Sequence, residues 1–562
     1  MIKKKPKSSL LLPLTAAGAL IAGGGAAYWV FAQQSGVGAL PVGADVVPQT
    51  ALMAVSVSTE PQQWQKLREF GTPQSQAAFA QTLGQLRDRF LTANGYDYER
   101  DIQPWVGKEV TLAFLPSTPS TAAPPAGTNQ PATLVVLPIQ DAARAKQILE
   151  QPRSNSGKLA ERTYKGFQIR EKQSATQGFS ATVLDGKLLL VTNDPKVTDQ
   201  AIDSYKDGTA LATTPGYTQS LGKIQSGQTF GKLYLNVPAA ATIASQNSGK
   251  SIPPQSLTQV QQMQGLAATA NLQPDGISFR SAAWLKPSSD RKYEVQNNAK
   301  DIPSRLPGET LLMTSGGNLK RFWQDYSQGA AANPISPINP EGLRSGIKST
   351  VGLDLEKDLL TWMEGEFSLS LVGTPEGSTP TIPFSFLFMV KASDRRAAET
   401  TLQQLNQTMA TKYKFKVEDA KVGNQTVTNW TLGTGSATIT HGWLDNDVAF
   451  LSLGAPVVNA IIPKPASPLT DSEAYKKTVP SDLNPNNGRF FMNVDRALSS
   501  KNLPLFQLPP GSNRDFVAAV KSIGVTSAIS DERTTRYDVF VLLQKTGNPP
   551  PLPSPTVPAG TN

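Results

Sequence analysis

The chain of 562 residues has no cysteine and a single histidine, His441. The first absence excludes disulfides, thiolate zinc sites, iron–sulfur clusters, cysteine nucleophiles and a lipoprotein-type anchor. The second leaves no histidine-rich metal site within one chain. Charged residues make up only 17%, and no stretch interleaves dense Lys/Arg with aromatics. The formal net charge of +9 is therefore not read as nucleic-acid binding. Lys3, Lys4, Lys5 and Lys7 supply four of those nine charges, and residues 301–562 carry 24 basic against 24 acidic side chains. No nucleic-acid partner, metal or cofactor is expected.

What the chain does contain is apolar material, 39% by residue, interrupted by 44 glycines and 44 prolines. That composition suits cored domains built of short elements, and the length suits three or four domains or two large ones.

Residues 1–9 form a basic segment. Residues 10–32, LLLPLTAAGALIAGGGAAYWVFA, carry no charge. As a helix they would span about 34 Å, enough for a bilayer core, with Tyr28 and Trp29 near the far interface. The positive-inside bias leaves residues 1–9 cytoplasmic and the rest exported. The competing reading is a cleaved signal peptide ending at Val30, Phe31 and Ala32; the apolar run exceeds a usual signal core, so a retained transmembrane signal anchor is preferred. A large exported chain without cysteine suits a bacterial envelope better than a eukaryotic secretory route, where disulfides are common.

Beyond a linker at 33–44, the sequence matches itself. At an offset of 257, Asp97, Glu99, Asp101, Trp105, Glu109 and Leu112 fall on Asp354, Glu356, Asp358, Trp362, Glu366 and Leu369. Nearby offsets align Pro48 with Pro307, Leu52-Met53 with Leu312-Met313, and Leu184-Asp185 with Leu444-Asp445. They also align Tyr217 with Tyr475, and Asn236-Val237 with Asn493-Val494. Collinear matches imply two homologous tandem modules, 45–300 and 301–545, followed by a Pro-rich tail at 546–562 expected to be extended and unpacked. Period-two runs predict strands at 51–58, 108–115, 132–139, 166–171, 179–184, 187–192, 230–237 and 277–285, with counterparts in the second module. Helices are expected at 61–70, 74–93, 141–151 and 394–409, the last two capped by Asp141 and Asp394. Asp185-Gly186 and Asp445-Asn446 are hairpin turns. The expected class is α+β, each module a mainly antiparallel sheet with helices packed on one face, behind an N-terminal transmembrane helix. Loops at 117–131, 247–255 and 373–380 read as disordered.

The pattern formed by Asp97, Asp101, Ile102, Pro104, Trp105 and Gly107, together with the duplication and the anchor, resembles the DUF3352 family of functionally uncharacterised bacterial proteins, many of them cyanobacterial. The second copy departs from that pattern, with Thr361 in place of the proline and Glu364 in place of the glycine. The resemblance implies an envelope or thylakoid setting and brings no catalytic residues with it.

No chemical motif survives inspection. The acidic triplets have calcium-loop spacing but lack the glycine and glutamate such a loop needs, which leaves them as caps ahead of Trp105 and Trp362. Ser220, Lys223 and the Lys545-Thr546-Gly547 run imitate penicillin-binding-protein signatures, but lie in different modules. The Ser248–Ser251 run lacks the first glycine of a P-loop. His441 has no nucleophile elbow to serve. No catalytic, cofactor-binding or metal residue is assigned. The sequence is read as a membrane-tethered, non-enzymatic protein that binds a protein partner or supports an envelope assembly. The alternatives are a carrier or sensor of an apolar or lipid ligand, and a hydrolase with an unrecognised carboxylate site.

Overall fold

The structure, a computed structural model, describes residues 40–555 except 93–94, 117–130, 151–159, 173–178, 226–228, 249–257, 259, 331–338, 375–383, 433–437, 500–513 and 548. The 10–32 segment lies outside these residues, as does nearly all of the three loops expected to be disordered. Among the described residues no helix is long and apolar enough to cross a membrane.

Among the described residues twenty strands form one sheet. The first ten are β1 (Met53–Ser58), β2 (Glu109–Leu115), β3 (Ala132–Pro138), β4 (Ala160–Tyr164), β5 (Phe167–Lys172), β6 (Phe179–Leu184), β7 (Leu188–Thr192), β8 (Gly231–Leu235), β9 (Met263–Gln273) and β10 (Gly276–Leu285). The second ten are β11 (Thr310–Gly316), β12 (Phe367–Gly373), β13 (Phe384–Lys391), β14 (Lys416–Val422), β15 (Gln425–Thr431), β16 (Thr438–Leu444), β17 (Val448–Gly454), β18 (Gly488–Asn493), β19 (Val520–Asp531) and β20 (Thr534–Leu543). The spatial order in the first half is 4-5-6-7-3-2-1-8-9-10. In the second half it is 14-15-16-17-13-12-11-18-19-20, the same order with ten added to each number. Every one of these ladders is antiparallel. The halves join where β10 lies against β20, from Gly276 opposite Leu542 to Trp284 opposite Thr534.

The helices of the first half are α1 (Pro61–Arg68), α2 (Pro73–Phe90), α3 (Ala142–Glu150), α4 (Pro195–Asp207), α5 (Tyr217–Ile224) and α6 (Val237–Ser248). The second half contributes α7 (Leu319–Ala330), α8 (Pro340–Val351), α9 (Arg395–Thr411), α10 (Val458–Ile461), α11 (Glu473–Thr478), α12 (Val494–Ser499) and α13 (Arg514–Val517). Asp141 and Asp394 cap as expected, accepting from Arg144 N at 3.0 Å and Ala397 N at 3.0 Å. At the hairpin turns Asp185 and Asp445 have φ of 46° and 51°, the left-handed geometry such tight turns require.

The α+β class with a large antiparallel sheet is observed, but the helices do not keep to one face. Ala54, Leu134 and Val136 pack with Val197 and Ala201 of α4 and Leu221 of α5. Met53, Val55 and Phe279 pack on the opposite side with Leu67 of α1 and Phe79 of α2. Neighbouring strand residues point to opposite faces, so both faces are covered. The second half repeats this, with Met313 and Leu387 packed beneath α10 and α11, and Phe367 and Val390 beneath α7 and α9. The reason is in the strands themselves: β1 is apolar or small at both parities, and β1 and β8 are largely buried throughout, Lys232 of β8 included. A strand of that kind needs cover on both sides.

Two further expectations change. Residues 41–47, assigned mostly to a linker, belong to the first half, since Ala44, Val46 and Val47 are buried and Val42 N donates to Glu109. The Pro-rich tail is not free of the fold either, because part of it lies against α1 and α2, as described below.

The seam is open to a direct test. Val539 sits in β20 between Val525 of β19 and Phe279 of β10. Val539→Pro removes a ladder donor at the centre of the sheet and leaves its partner carbonyl unsatisfied, which is expected to cost about 1–3 kcal/mol. Urea unfolding followed by circular dichroism should show a lower midpoint; an unchanged midpoint would mean that the seam contributes nothing to stability.

Candidate binding surface

The residues that match between the halves perform matching tasks. Asp97 caps a turn of helix by accepting from Arg100 N at 2.9 Å, and Asp101 accepts from Asp97 N at 2.9 Å. Asp354 accepts from Glu356 N and Lys357 N, and Asp358 from Asp354 N at 2.7 Å. Each carboxylate thereby satisfies donors that a helix start leaves open. Glu356 instead takes Trp323 Nε1 at 2.9 Å and Arg344 Nε at 2.6 Å. Trp105 and Trp362 are core residues, 0% and 2% exposed, and Trp105 Nε1 donates to Asp101 O at 2.6 Å.

The departure read at Glu364 is a one-residue displacement. Gly107 approaches Pro138 at the end of β3, where an added Cβ would stand 2.9 Å from the ring. Gly365 does the same at the end of β13, where a Cβ would meet Lys391 O at 2.3 Å. The close approach persists in both halves, with the glycine shifted by one position along the turn.

Glu109 and Glu366 hold the most demanding places. Glu109 and Lys232 form an ion pair at 3.1 Å with side chains 4% and 2% exposed. Ser56 lies beside them on β1, hydrogen-bonded to Thr111 at 2.7 Å. Burial pushes the Glu109 carboxyl up, while Lys232 pulls it down. In the second half the register places Arg489 opposite Ser315, as Lys232 stands opposite Ser56. Glu366, however, is held by backbone donors: Lys300 N at 2.7 Å, Asp301 N at 2.9 Å and Ile302 N at 3.2 Å. Burial raises its carboxyl as well. Both glutamates clamp the segment that leads into the first strand of their half, at Val42 or at 300–302.

The other buried carboxylates are also committed, Glu171 to Arg162 at 2.7 Å and Asp538 to Arg536 at 2.9 Å. The residues that imitated a serine-enzyme signature are not brought together. Lys223 contacts Asp531 and Thr534, whereas Lys545 pairs with Glu69 at 2.9 Å. His441, 4% exposed, meets Asn406 Oδ1 through Nε2 at 2.8 Å, and Trp430 Nε1 donates to the same oxygen at 2.7 Å. Its Nδ1 has no partner among the described residues, and burial lowers its pKa to about 4.

An apolar surface lies on the second half. Phe386 of β13 and Leu453 of β17 face each other across their ladder and are 37% and 44% exposed. Leu371 of β12 and Ile439 of β16 extend the same row, and Leu312 of β11 stands opposite Leu371; all three are half-buried. Counting along the ladders from Glu109 and Glu366, the first-half counterparts of Phe386 and Leu453 are Thr133 and Asn193. Those are polar and bonded to each other, Thr133 N donating to Asn193 Oδ1 at 2.7 Å. Sequence reading missed this strip because β13 reads FSFLFMVK, apolar at both parities, so its outward face cannot be told from its inward one.

The chain matches the family described as "Protein of unknown function (DUF3352)" over residues 14–543. It belongs to that family. No curated protein matches it. Among solved structures, crystal form III of TP0453 is similar at 10% identity and a TM-score of 0.22, covering 46% of this chain and 82% of that one. Crystal form IV gives 11% and 0.23, covering 45% and 82%. Scores this low carry no argument about function.

Two outcomes are expected for the buried groups. Lys232→Met leaves Glu109 buried without its cation and should cost about 3–5 kcal/mol, while Glu109→Leu combined with Lys232→Met should recover most of that loss; chemical denaturation of the two variants decides it. His441 titrates at about 4 when folded and from 6.5 as its unfolded reference. The unfolded chain therefore binds the extra proton between these values, and stability falls as pH drops from 6.5 to 4, by on the order of 3 kcal/mol at most. His441→Gln should lack that component when unfolding curves are compared across this range.

Proposed function

We propose that this family member is a non-enzymatic binding or assembly-supporting protein of a bacterial envelope, tethered through residues 10–32 with its bulk in the periplasm or thylakoid lumen. We further propose that the two halves descend from one duplicated module. Identical strand order supports the second statement, as do matched residues with matched tasks: Asn236 and Asn493, for example, each accept from the backbone N–H three residues on, that of Ala239 at 3.2 Å and of Arg496 at 3.1 Å.

The observation that carries the binding reading is the strip around Phe386 and Leu453. Aromatic and branched side chains left side by side on an outward strand face gain free energy when a partner removes them from water. The polar pair at the same place in the first half supports a specialised second half. The partner favoured is a protein in the same membrane compartment. An apolar or lipid ligand is the second reading, supported by the same strip. A carboxylate hydrolase is disfavoured, since Glu109, Glu366, Glu171 and Asp538 are each neutralised or hydrogen-bonded where they stand.

The test is native mass spectrometry of the full chain extracted from its own membrane, compared with Phe386→Asp combined with Leu453→Asp. Both positions are exposed, so melting should be nearly unchanged. A stoichiometric protein adduct that falls at least tenfold in the variant supports the assembly reading, and a lost small mass moves the ligand reading ahead. An adduct that persists in the variant, or no adduct in the parent, overturns the strip as a binding surface.

A further inference from the structure

The tail makes specific contacts after it leaves β20. Gly71 N donates to Gln544 O at 2.7 Å, and Thr546 Oγ1 donates to Gly71 O at 2.7 Å. Lys545 bridges to Phe70 by backbone and to Glu69 by charge. Farther on, Arg68 of α1 donates to Pro550 O, and Arg87 Nη1 of α2 donates to Pro553 O at 2.8 Å. Pro553 lies on Gly84, where an added Cβ would stand 3.3 Å from the proline Cγ.

Three features of this contact fit one ligand chemistry. A polyproline helix has three residues per turn, so carbonyls three apart share an edge about 9 Å apart along the axis. Pro550 and Pro553 are three apart, and their carbonyls are the two that the arginines take. Proline has no N–H, so Pro550 and Pro553 offer backbone acceptors only, and guanidinium groups are donors only. Gly84 lies in the interior of the 18-residue α2, where glycine costs about 1 kcal/mol relative to alanine. Its bare surface is where the proline ring sits.

We propose that the α1–α2 face is a recognition site for proline-rich segments of P-x-x-P spacing, occupied in cis by this chain's own tail. Arg68 and Arg87 read the two carbonyls and Gly84 admits the second proline. Lys545 and Thr546 deliver the tail at a high effective concentration, so the attached segment excludes a free one.

The absence of cysteine makes a clean measurement possible. Ser554 is exposed, so Ser554→Cys in the full chain takes a single nitroxide label. The expected spectrum is restricted, and it becomes mobile in Arg68→Ala with Arg87→Ala and, independently, in Gly84→Leu. A synthetic peptide of residues 545–562, labelled with fluorescein, is then added to the full chain and to a chain ending at Gly547. It should bind the shortened chain at least tenfold more tightly, and a peptide with Pro550 and Pro553 replaced by alanine should not bind. Circular dichroism melting confirms that each variant is folded. A mobile label in the parent, a label indifferent to both kinds of substitution, or equal peptide binding to the two chains would overturn the proposal.

Discussion

The structure depends on how a long antiparallel sheet disposes of its edges. Each half taken alone would end in a long strand, β10 or β20, with a full row of unpaired N–H and C=O groups and largely apolar flanks. Such an edge recruits other chains. Pairing β10 with β20 removes both edges at once, over nine opposed residues. It also lays Ile277 beside Val541 and Phe279 beside Val539, continuing an apolar layer across the join. The two edges that remain are of a different kind. Strand β4 reads AERTY and β14 reads KVEDAKV, both short and mostly exposed, with charges along them. Those residues make poor templates for further pairing, so the sheet grows inward and stops outward.

Once the sheet is continuous, most positions of its interior strands are turned away from solvent, and helices cover much of both sides. This explains why the buried polar groups are so tightly accounted for. A carboxylate under a helix layer cannot turn to water, so Glu109 requires Lys232, and Glu366 requires three backbone donors. Both solutions fasten the incoming chain to the second strand of its half. The sequence repeats the glutamate and varies the partner, because the constraint falls on satisfying the buried charge rather than on the identity of the donor.

Much of this was legible in the residues. Alternating runs bounded by turns placed most strands within a residue or two, and Asp141, Asp394, Asp185 and Asp445 located caps and turns, because these are local effects. What escaped was non-local or two-faced. Nothing near Gly276 announces Leu542 as its neighbour. Largely apolar strands such as β1 could be read as strands but concealed that helices would be needed on both faces. The displaced glycine, Gly107 against Gly365, defeated position-by-position comparison, since space at the turn was retained while the register moved. The ladders likewise set Met53 opposite Phe114 and Leu312 opposite Leu371, one residue away from the match by identity. The tail was misread because a proline-rich segment has no hydrophobic period, and its contacts are made by carbonyl oxygens that every sequence possesses.

The halves agree where the framework requires it and differ where the surface permits it. Strand order, capped acidic turns, buried tryptophans and the glutamate clamp recur in both. At the outward ladder position, however, one half has Thr133 and Asn193 bonded to each other, and the other has Phe386 and Leu453 open to water. In the first the Asn193 side chain accepts from the Thr133 backbone; in the second two apolar side chains leave surface whose burial would be favourable by about 25 cal/mol per Å². Stability of the isolated chain gives no reason to keep that surface apolar in only one half. That difference, confined to an exposed position on a largely repeated framework, is the ground on which the proposed binding strip rests.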